Sequence, residues 1–446
     1  MDKFLTSSQK DHDTSPTSSN EPSCSKSEPE PKRKKCISAV WTHFDKLQTK
    51  QLAKCHYETN HSSLNIANTL REICDEWKVF DKLHTIVTDN AASMIKACEL
   101  LKKKHLPCFA HTLNLVVQDA LNLENVQNVL KITKRIVSYF KSSAIAYAKF
   151  KDAQGTENPC SLLQEVPTRW NSALQMIQRV LRTREPLTGT LLRCHNAPIP
   201  LSEDQFRILK DLCSLLEPFE KATKHASAAK GVTISLIAPA IFALSQSLEE
   251  LHEQMLTPVG RETCEFLQSN VKKRLFSYEN RSAPRLGTLL DPRFKKEGFQ
   301  NPSNAQQAML MLEGEVHNII QDVRSKNSTE ELPRNEETPF LFKCMAGKIK
   351  EKNKSSRADS IITIRQYMEQ RNALHDSDPL QYWQINKEHL FALGQCAIKF
   401  LCIPASSAES ERTFSKTGAI VTERRACLKP KQVNTLVFIN KNQWLL

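Results

Sequence analysis

The residues of this chain with types and spacing suited to chemistry are few: two acids, a Cys-x-x-His pair and an Arg-Trp dipeptide. Asp89 closes the β-branched run Thr85-Ile86-Val87-Thr88 and precedes Asn90. Read from its neighbours alone, it caps the helix that continues through Met94. Glu409 and Glu411 stand two residues apart, roughly 200° round a helix, so only one of them can face a given site. Glu411 reads equally as a solvated acid paired with Arg412 or Lys416. Cys108 and His111 lie near Cys98 and His105, but this spacing matches no common zinc module. As a nucleophile and base they lack an orienting partner and an oxyanion loop. Arg169-Trp170 sets a guanidinium beside an aromatic face, which suits stacking on an unpaired base. A core Trp with its Arg neighbour reaching outward explains the same pair. No two glycines lie within five residues of each other, so there is no phosphate-cradling loop and no sign of a nucleotide-driven enzyme.

The elements that must position these groups follow from apolar periodicity. Leu64, Ala67, Leu70, Ile73, Cys74 and Trp77 make a helical stripe, Thr85-Ile86-Val87 a strand, and Met94 to Leu101 a second helix. Past Pro107, Cys108-Phe109-Ala110-His111 reads as a second strand, with a long amphipathic stretch from Leu113 to Phe140 behind it. Helix, strand, helix, strand, helix is an α/β order. From about 160 to 375 the pattern is nearly all helical, clearest at 173–183, 204–222, 235–253 and 306–322.

Composition narrows the classes. The 446 residues carry 62 Lys and Arg against 49 Asp and Glu, a formal charge of +13, which favours polyanionic partners. Only 10 glycines point to a helix-rich chain. Fourteen cysteines without framework spacing, and no secretion signal, suit a reducing compartment. The longest apolar stretch, Thr233 to Leu244, is too short to span a bilayer, so no membrane role is expected. Residues 1–37 read as a disordered tail ending in the basic run Pro31-Lys32-Arg33-Lys34-Lys35, a nuclear import signal or a phosphate-contacting patch.

Five segments in order carry a resemblance: Val87-Thr88-Asp89-Asn90-Ala91-Ala92-Ser93-Met94, Cys108-Phe109-Ala110-His111-Thr112-Leu113-Asn114-Leu115, Pro167-Thr168-Arg169-Trp170-Asn171-Ser172, Leu289-Leu290-Asp291-Pro292-Arg293-Phe294-Lys295, and Ser406-Ser407-Ala408-Glu409-Ser410-Glu411-Arg412-Thr413-Phe414-Ser415. Together they resemble hAT-superfamily transposases and their zinc finger BED domain-containing relatives, over about residues 55–446. The resemblance implies an α/β RNase H-like core interrupted by a large all-α insertion domain. Such nucleases hold two divalent ions between carboxylates from separate elements. On that pattern Asp89 corresponds to the second acidic ligand and Glu411, through its Ser-Glu-Arg match, to the last. His111 corresponds to the family's Cys-x-x-His histidine near the scissile strand, and Arg169 and Trp170 to a pair that stacks on a flipped or unpaired base. Asp291-Pro292-Arg293 reads as a structural turn.

The chain also departs from that pattern. Ser38-Ala39-Val40-Trp41-Thr42-His43-Phe44 resembles the opening of a BED finger, yet only Cys55, His56 and His61 follow, in the wrong arrangement for zinc. Leu52-Ala53-Lys54-Cys55-His56-Tyr57-Glu58 resembles the third strand of the core, so its first strands and the first catalytic Asp are missing. The expected organisation is a tail (1–37), a finger remnant (38–50), a truncated RNase H-like core (51–155), a helical insertion domain (156–375) and a hAT C-terminal dimerisation region (376–446) that completes the core. With one ligand lost, Asp89 and Glu411 are ancestral positions and no strand cleavage is expected; magnesium would bind only at an intact site. No cofactor is expected, and no zinc.

The last block presents Leu380, Trp383, Leu390, Leu393, Ala397, Phe400 and Leu401 as one apolar face, and Val433, Leu436, Val437, Phe438 and Ile439 as another. Part must be intrachain core; the resemblance adds a homodimer through 376–446, with related hAT and BED proteins as further partners. The leading function is a nuclear, catalytically inactive protein that dimerises and binds DNA weakly, salt-dependently and without sequence preference, regulating transcription. Lys102 to Lys104, Lys131, Lys134 and Arg135 are its candidate phosphate contacts. The alternatives are a dimerisation module without DNA binding of its own, and an active transposase if the missing segment is restored in the true transcript.

Overall fold

A computed structural model describes residues 44–46, 53–55, 62–166, 170–327, 345, 356–421 and 428–442. The tail with its basic run, most of 38–50, and Arg169 lie outside the described residues. Two short strands, β1 (Phe44–Lys46) and β2 (Ala53–Cys55), pair antiparallel with Phe44 opposite Cys55. An α/β unit follows: α1 (Ser63–Glu76), β3 (Thr85–Thr88), α2 (Ala92–Leu100), β4 (Lys104–Pro107) and α3 (Phe109–Leu121). β3 and β4 run parallel, Thr85 opposite Lys104 and Thr88 opposite Pro107.

Local chemistry explains these elements. The Ser62 hydroxyl accepts the Asn65 amide at 3.3 Å and opens α1. All four residues of β3 are β-branched, and successive side chains take opposite faces. Ile86 packs with Ala67, Ala97 and Leu101 between α1 and α2, whereas Val87 packs on the main core that Leu106 joins from β4. The sequence places the second strand at Cys108–His111; the structure places it at Lys104–Pro107. The reason is a cap: the Cys108 thiol accepts the His111 amide at 3.4 Å, which draws Phe109 to His111 into α3. The single amphipathic stretch expected from Leu113 to Phe140 is likewise two helices, broken at Asn122 and Leu123.

The rest is helical: α4 (Glu124–Ser142), α5 (Ala144–Asp152), α6 (Trp170–Arg182), α7 (Arg184–Arg193), α8 (Glu203–Ala226), α9 (Ile237–His252), α10 (Pro258–Leu275), α11 (Ser282–Leu290), α12 (Pro302–Asn327) and α13 (Ser356–Glu369). Among the described residues one span, Ile234–His252, is long and apolar enough to cross a bilayer. In this fold it is a core helix, with Ile237, Ile241, Leu244 and Leu248 buried.

The C-terminal block adds α14 (Pro379–Ile385), α15 (Phe391–Leu401), α16 (Ala408–Ile420) and α17 (Pro430–Lys441). Its first half is built into the body. Trp383 donates its indole N–H to the Leu290 carbonyl at 2.8 Å, and Phe400 meets His84 edge-on with ring centroids 5.0 Å apart. Asp291-Pro292-Arg293 is the turn its sequence indicates. Asp291 is fully buried, paired with Arg293 at 2.7 Å and hydrogen-bonded by Ser235 at 2.6 Å. Lys295, also buried, donates to the carbonyls of Tyr367 at 2.8 Å and Gln370 at 2.6 Å, which staples the turn to α13. One continuous apolar cluster therefore runs from Leu106 to Ala405.

Candidate functional site

The carboxyl ends of parallel strands are where an α/β layer leaves a crevice, and a cleft of about 630 Å³ lies beside that edge here. Four elements wall it: the start of α3 (Cys108, His111, Asn114), the start of α6 (Trp170, Asn171), the end of α8 (Thr223, Ser227) and α16 (Glu411, Arg412, Lys416). The segment before α16 is the clamp that brings them together. Ala405 accepts the Phe109 amide at 2.9 Å and donates its own amide to the Thr233 hydroxyl at 2.9 Å. Ser406 bonds the Ala226 carbonyl at 3.1 Å, and the Ser407 amide donates to the Cys108 thiol at 3.3 Å. Cys108 is thus a junction: its amide donates to the Thr88 carbonyl at 2.7 Å while its sulfur receives α3 and the C-terminal block.

Three of the residues singled out from the sequence meet in this cleft: His111, Trp170 and Glu411. Trp170 is only 3% exposed, so it forms a wall of the cleft rather than an open platform. Asp89 is not among the lining residues. It is exposed at the tip of β3, where its carboxylate accepts the Ala91 amide at 3.3 Å just ahead of α2. The two glutamates separate as helix geometry requires. Glu411 faces the cleft, while Glu409 pairs with Arg412 and Lys441, and the Lys441 ammonium, followed by Arg412, holds its carboxyl below the usual range. Arg412 also donates to the Ser227 carbonyl at 2.5 Å, tying α16 to the end of α8.

The donor set does not fit a divalent ion. Among the described residues no three His, Cys, Asp or Glu side chains converge as ligands, and Asp89 does not line the cleft that Glu411 faces. The four-residue zinc alternative is dispersed. Cys98 is buried on α2, His105 bonds the Thr88 hydroxyl at 2.9 Å, and Cys108 is occupied by two amides.

What the cleft offers instead is polar recognition. Asn171 Oδ1 and Thr223 Oγ1 are buried within its walls with no hydrogen-bond partner among the described residues, a cost that a polar ligand or water would offset. Lys416 and His111 add donors, and Glu411 an acceptor. Thr223, Ser227 and Lys416 carry no signal in the sequence, because they reach the cleft only through the long-range clamp at 405–407. Asn171 stands beside Trp170 in a quoted motif, and that adjacency was the available clue.

Several of the proposed phosphate contacts are already engaged. Lys103 lies over the Phe80 ring and donates to the Phe80 carbonyl at 2.8 Å, Lys104 bonds Ser282 at 3.2 Å, and Lys134 pairs with Glu165 at 2.7 Å. Lys102 to Lys104 also sit at the entry to β4, the end of the sheet away from the cleft.

Comparison with known families finds matches over the α/β unit, the helices that follow it and the C-terminal block. The chain matches the ZBED1 RNase-like domain over residues 35–113, the ZBED1 RNase-like helical domain over 106–215, and the hAT family C-terminal dimerisation region over 363–443. Among curated relatives, human zinc finger BED domain-containing protein 4 is 26% identical over 377 residues, covering 80% of this chain and 30% of that protein. Human zinc finger BED domain-containing protein 6 is 26% identical, covering 85% and 41%. The rice protein RICESLEEPER 3, of Oryza sativa subsp. japonica, is 23% identical, covering 84% and 54%. Over these spans the chain is similar to hAT transposase-derived proteins of the zinc finger BED domain-containing type. It spans well under two thirds of the length of these relatives.

Proposed function

We propose that this chain is a nuclear protein that self-associates through its C-terminal block, binds nucleic acid through the cleft at the strand ends, and does not cut it. The observation that carries the reading is the cleft itself. His111, Trp170 and Glu411, far apart in sequence, meet there with unpartnered polar atoms, yet the acid of β3 stays outside. Two-ion hydrolysis needs carboxylates that converge on the scissile phosphate. A polar cleft with one acid and flanking cations needs only to hold a strand or an extruded base. Regulation of transcription is the role such binding would serve.

The RNase-like match begins at residue 35, so the stretch 38–50 falls inside it, and β1 from that stretch pairs with β2. We therefore read Phe44–Lys46 as a strand of the RNase-like region in preference to part of a finger remnant. The exposed apolar side chains of the C-terminal hairpin favour a second reading, a dimerisation module without nucleic-acid binding of its own.

Fluorescence anisotropy with single- and double-stranded oligonucleotides decides between them. Binding should be independent of sequence and weaken about tenfold or more between roughly 50 and 200 mM salt. No binding at low salt leaves the dimerisation module. Asp89-dependent nicking in magnesium or manganese would show an active nuclease and defeat the proposal.

A further inference from the structure

Helix α16 has two faces with different duties. Ala408, Glu411, Arg412, Ser415 and Lys416 line the cleft, at the i, i+3, i+4 spacing of one face. Phe414 lies roughly 130° round the helix from that set, at 100° per residue, and is 65% exposed; Val421, which ends the helix, is 42% exposed. Leu436, Phe438 and Ile439 on α17 add exposed apolar surface. Yet α16 is loosely held. No residue of it is buried. Among the described residues its only hydrogen bond or ion pair to the body, beyond the clamp that precedes it, is Arg412 to the Ser227 carbonyl; its other partner is α17, through Glu409 and Lys441. A helix with few buried apolar groups opens at low cost, so one wall of the cleft is weakly fixed in the single chain.

We propose that a second copy of this chain docks on exposed apolar side chains of the α16–α17 hairpin and thereby fixes the cleft wall, so that the cleft takes its ligand tightly only in the dimer. The occupant follows from continuity: the hAT dimerisation match, 363–443, runs through the whole hairpin. Exposed apolar side chains suit a protein partner and not a phosphate. Ordering α16 in advance removes part of the cost of ordering it around a ligand, which is cooperativity between dimerisation and binding. The ligand class, an unpaired nucleic-acid strand, rests on the reading given above; the fixing of the wall does not.

The test compares the wild-type chain with the double variant Phe414→Asp/Phe438→Asp. Both substitutions fall on exposed side chains and so spare the core. Light scattering in high salt gives the mass, hydrogen–deuterium exchange follows α16 with α8 as internal reference, and anisotropy with a short oligo-dT strand gives affinity. The expected result is a wild-type dimer and a monomeric variant, with α16 amides exchanging at least tenfold faster in the variant and α8 unchanged. Oligo-dT affinity should fall at least tenfold with the loss of the dimer. A wild-type chain that stays monomeric, equal α16 exchange in the two forms, or equal oligo-dT affinity overturns the proposal. If α16 is protected in the dimer but oligo-dT binds neither form, the coupling stands and the nucleic-acid reading fails.

Discussion

His84 shows how one side chain reports on the joint between the sheet and the C-terminal block. Its ring bonds the Thr85 hydroxyl at 2.7 Å and meets Phe400 edge-on. Burial, with Lys104 and Lys399 nearby, lowers its pKa from 6.5 to about 4. Above pH 6.5 the ring is neutral folded or unfolded and takes nothing from stability. Between pH 6.5 and about 4 the unfolded ring binds a proton that the folded ring refuses, so stability falls as pH falls. The loss should total about 1–3 kcal/mol, less than the full shift because the ring is only partly buried. Thermal melts at pH 7 and pH 5 check this. His84→Asn should lose distinctly less on acidification than the wild type. His105, lowered by burial and then by Arg281, pushes the same way and remains in both. Equal losses in the two proteins would remove His84 as the cause.

At the level of elements the sequence was legible where periodicity is local. The β-branched run at 85–88 became β3, the stripe from Leu64 became α1, and the helices near 173–183 and 204–222 became α6 and α8. It was misleading where a cap decides: Cys108–His111 looks like strand by composition, but the Cys108 thiol starts a helix there. Of the site, His111, Trp170 and Glu411 were legible through motifs. Thr223, Ser227 and Lys416 were not, since nothing local records that 405–407 clamps α3 to α8. The shortage of glycine shows at the turns. Lys78, Lys102, Asn196 and Lys295 all hold positive φ, where a Cβ is crowded. Lys102 is exposed, with φ 53°, at the end of α2, a position where helices commonly place Gly. Lys102→Gly should therefore stabilise the fold by about 0.5–1 kcal/mol, the relief from left-handed strain exceeding the entropy that Gly adds to the unfolded chain. A urea midpoint unchanged or lowered in this variant would show that the turn is not strained.

For the whole molecule the C-terminal block divides into a part that completes the core and a part that projects from it. Trp383, Leu393, Cys396, Ala397, Phe400, Leu401 and Ile403 are all buried, the indole is bonded to Leu290, and Ala405 reaches Phe109 and Thr233. Fully burying a large apolar side chain stabilises by about 1.5–3 kcal/mol. Removing this set therefore forfeits about as much as the 5–15 kcal/mol that holds a typical domain folded. Beyond Ser407 the balance changes, because α16 buries nothing and Val433 is the one fully buried apolar side chain known on α17. A chain ending at Asp376 should accordingly fail to fold, giving aggregated material or a broad, non-cooperative melt. A chain ending at Ser407 should keep a cooperative transition within a few degrees of the full chain and run as a monomer. If the longer truncation also loses its cooperative melt, the hairpin is part of the core and not an appendage. If the shorter one melts cooperatively, the RNase-like layer closes without the block, and the clamp at 405–407 arranges the cleft without holding the fold.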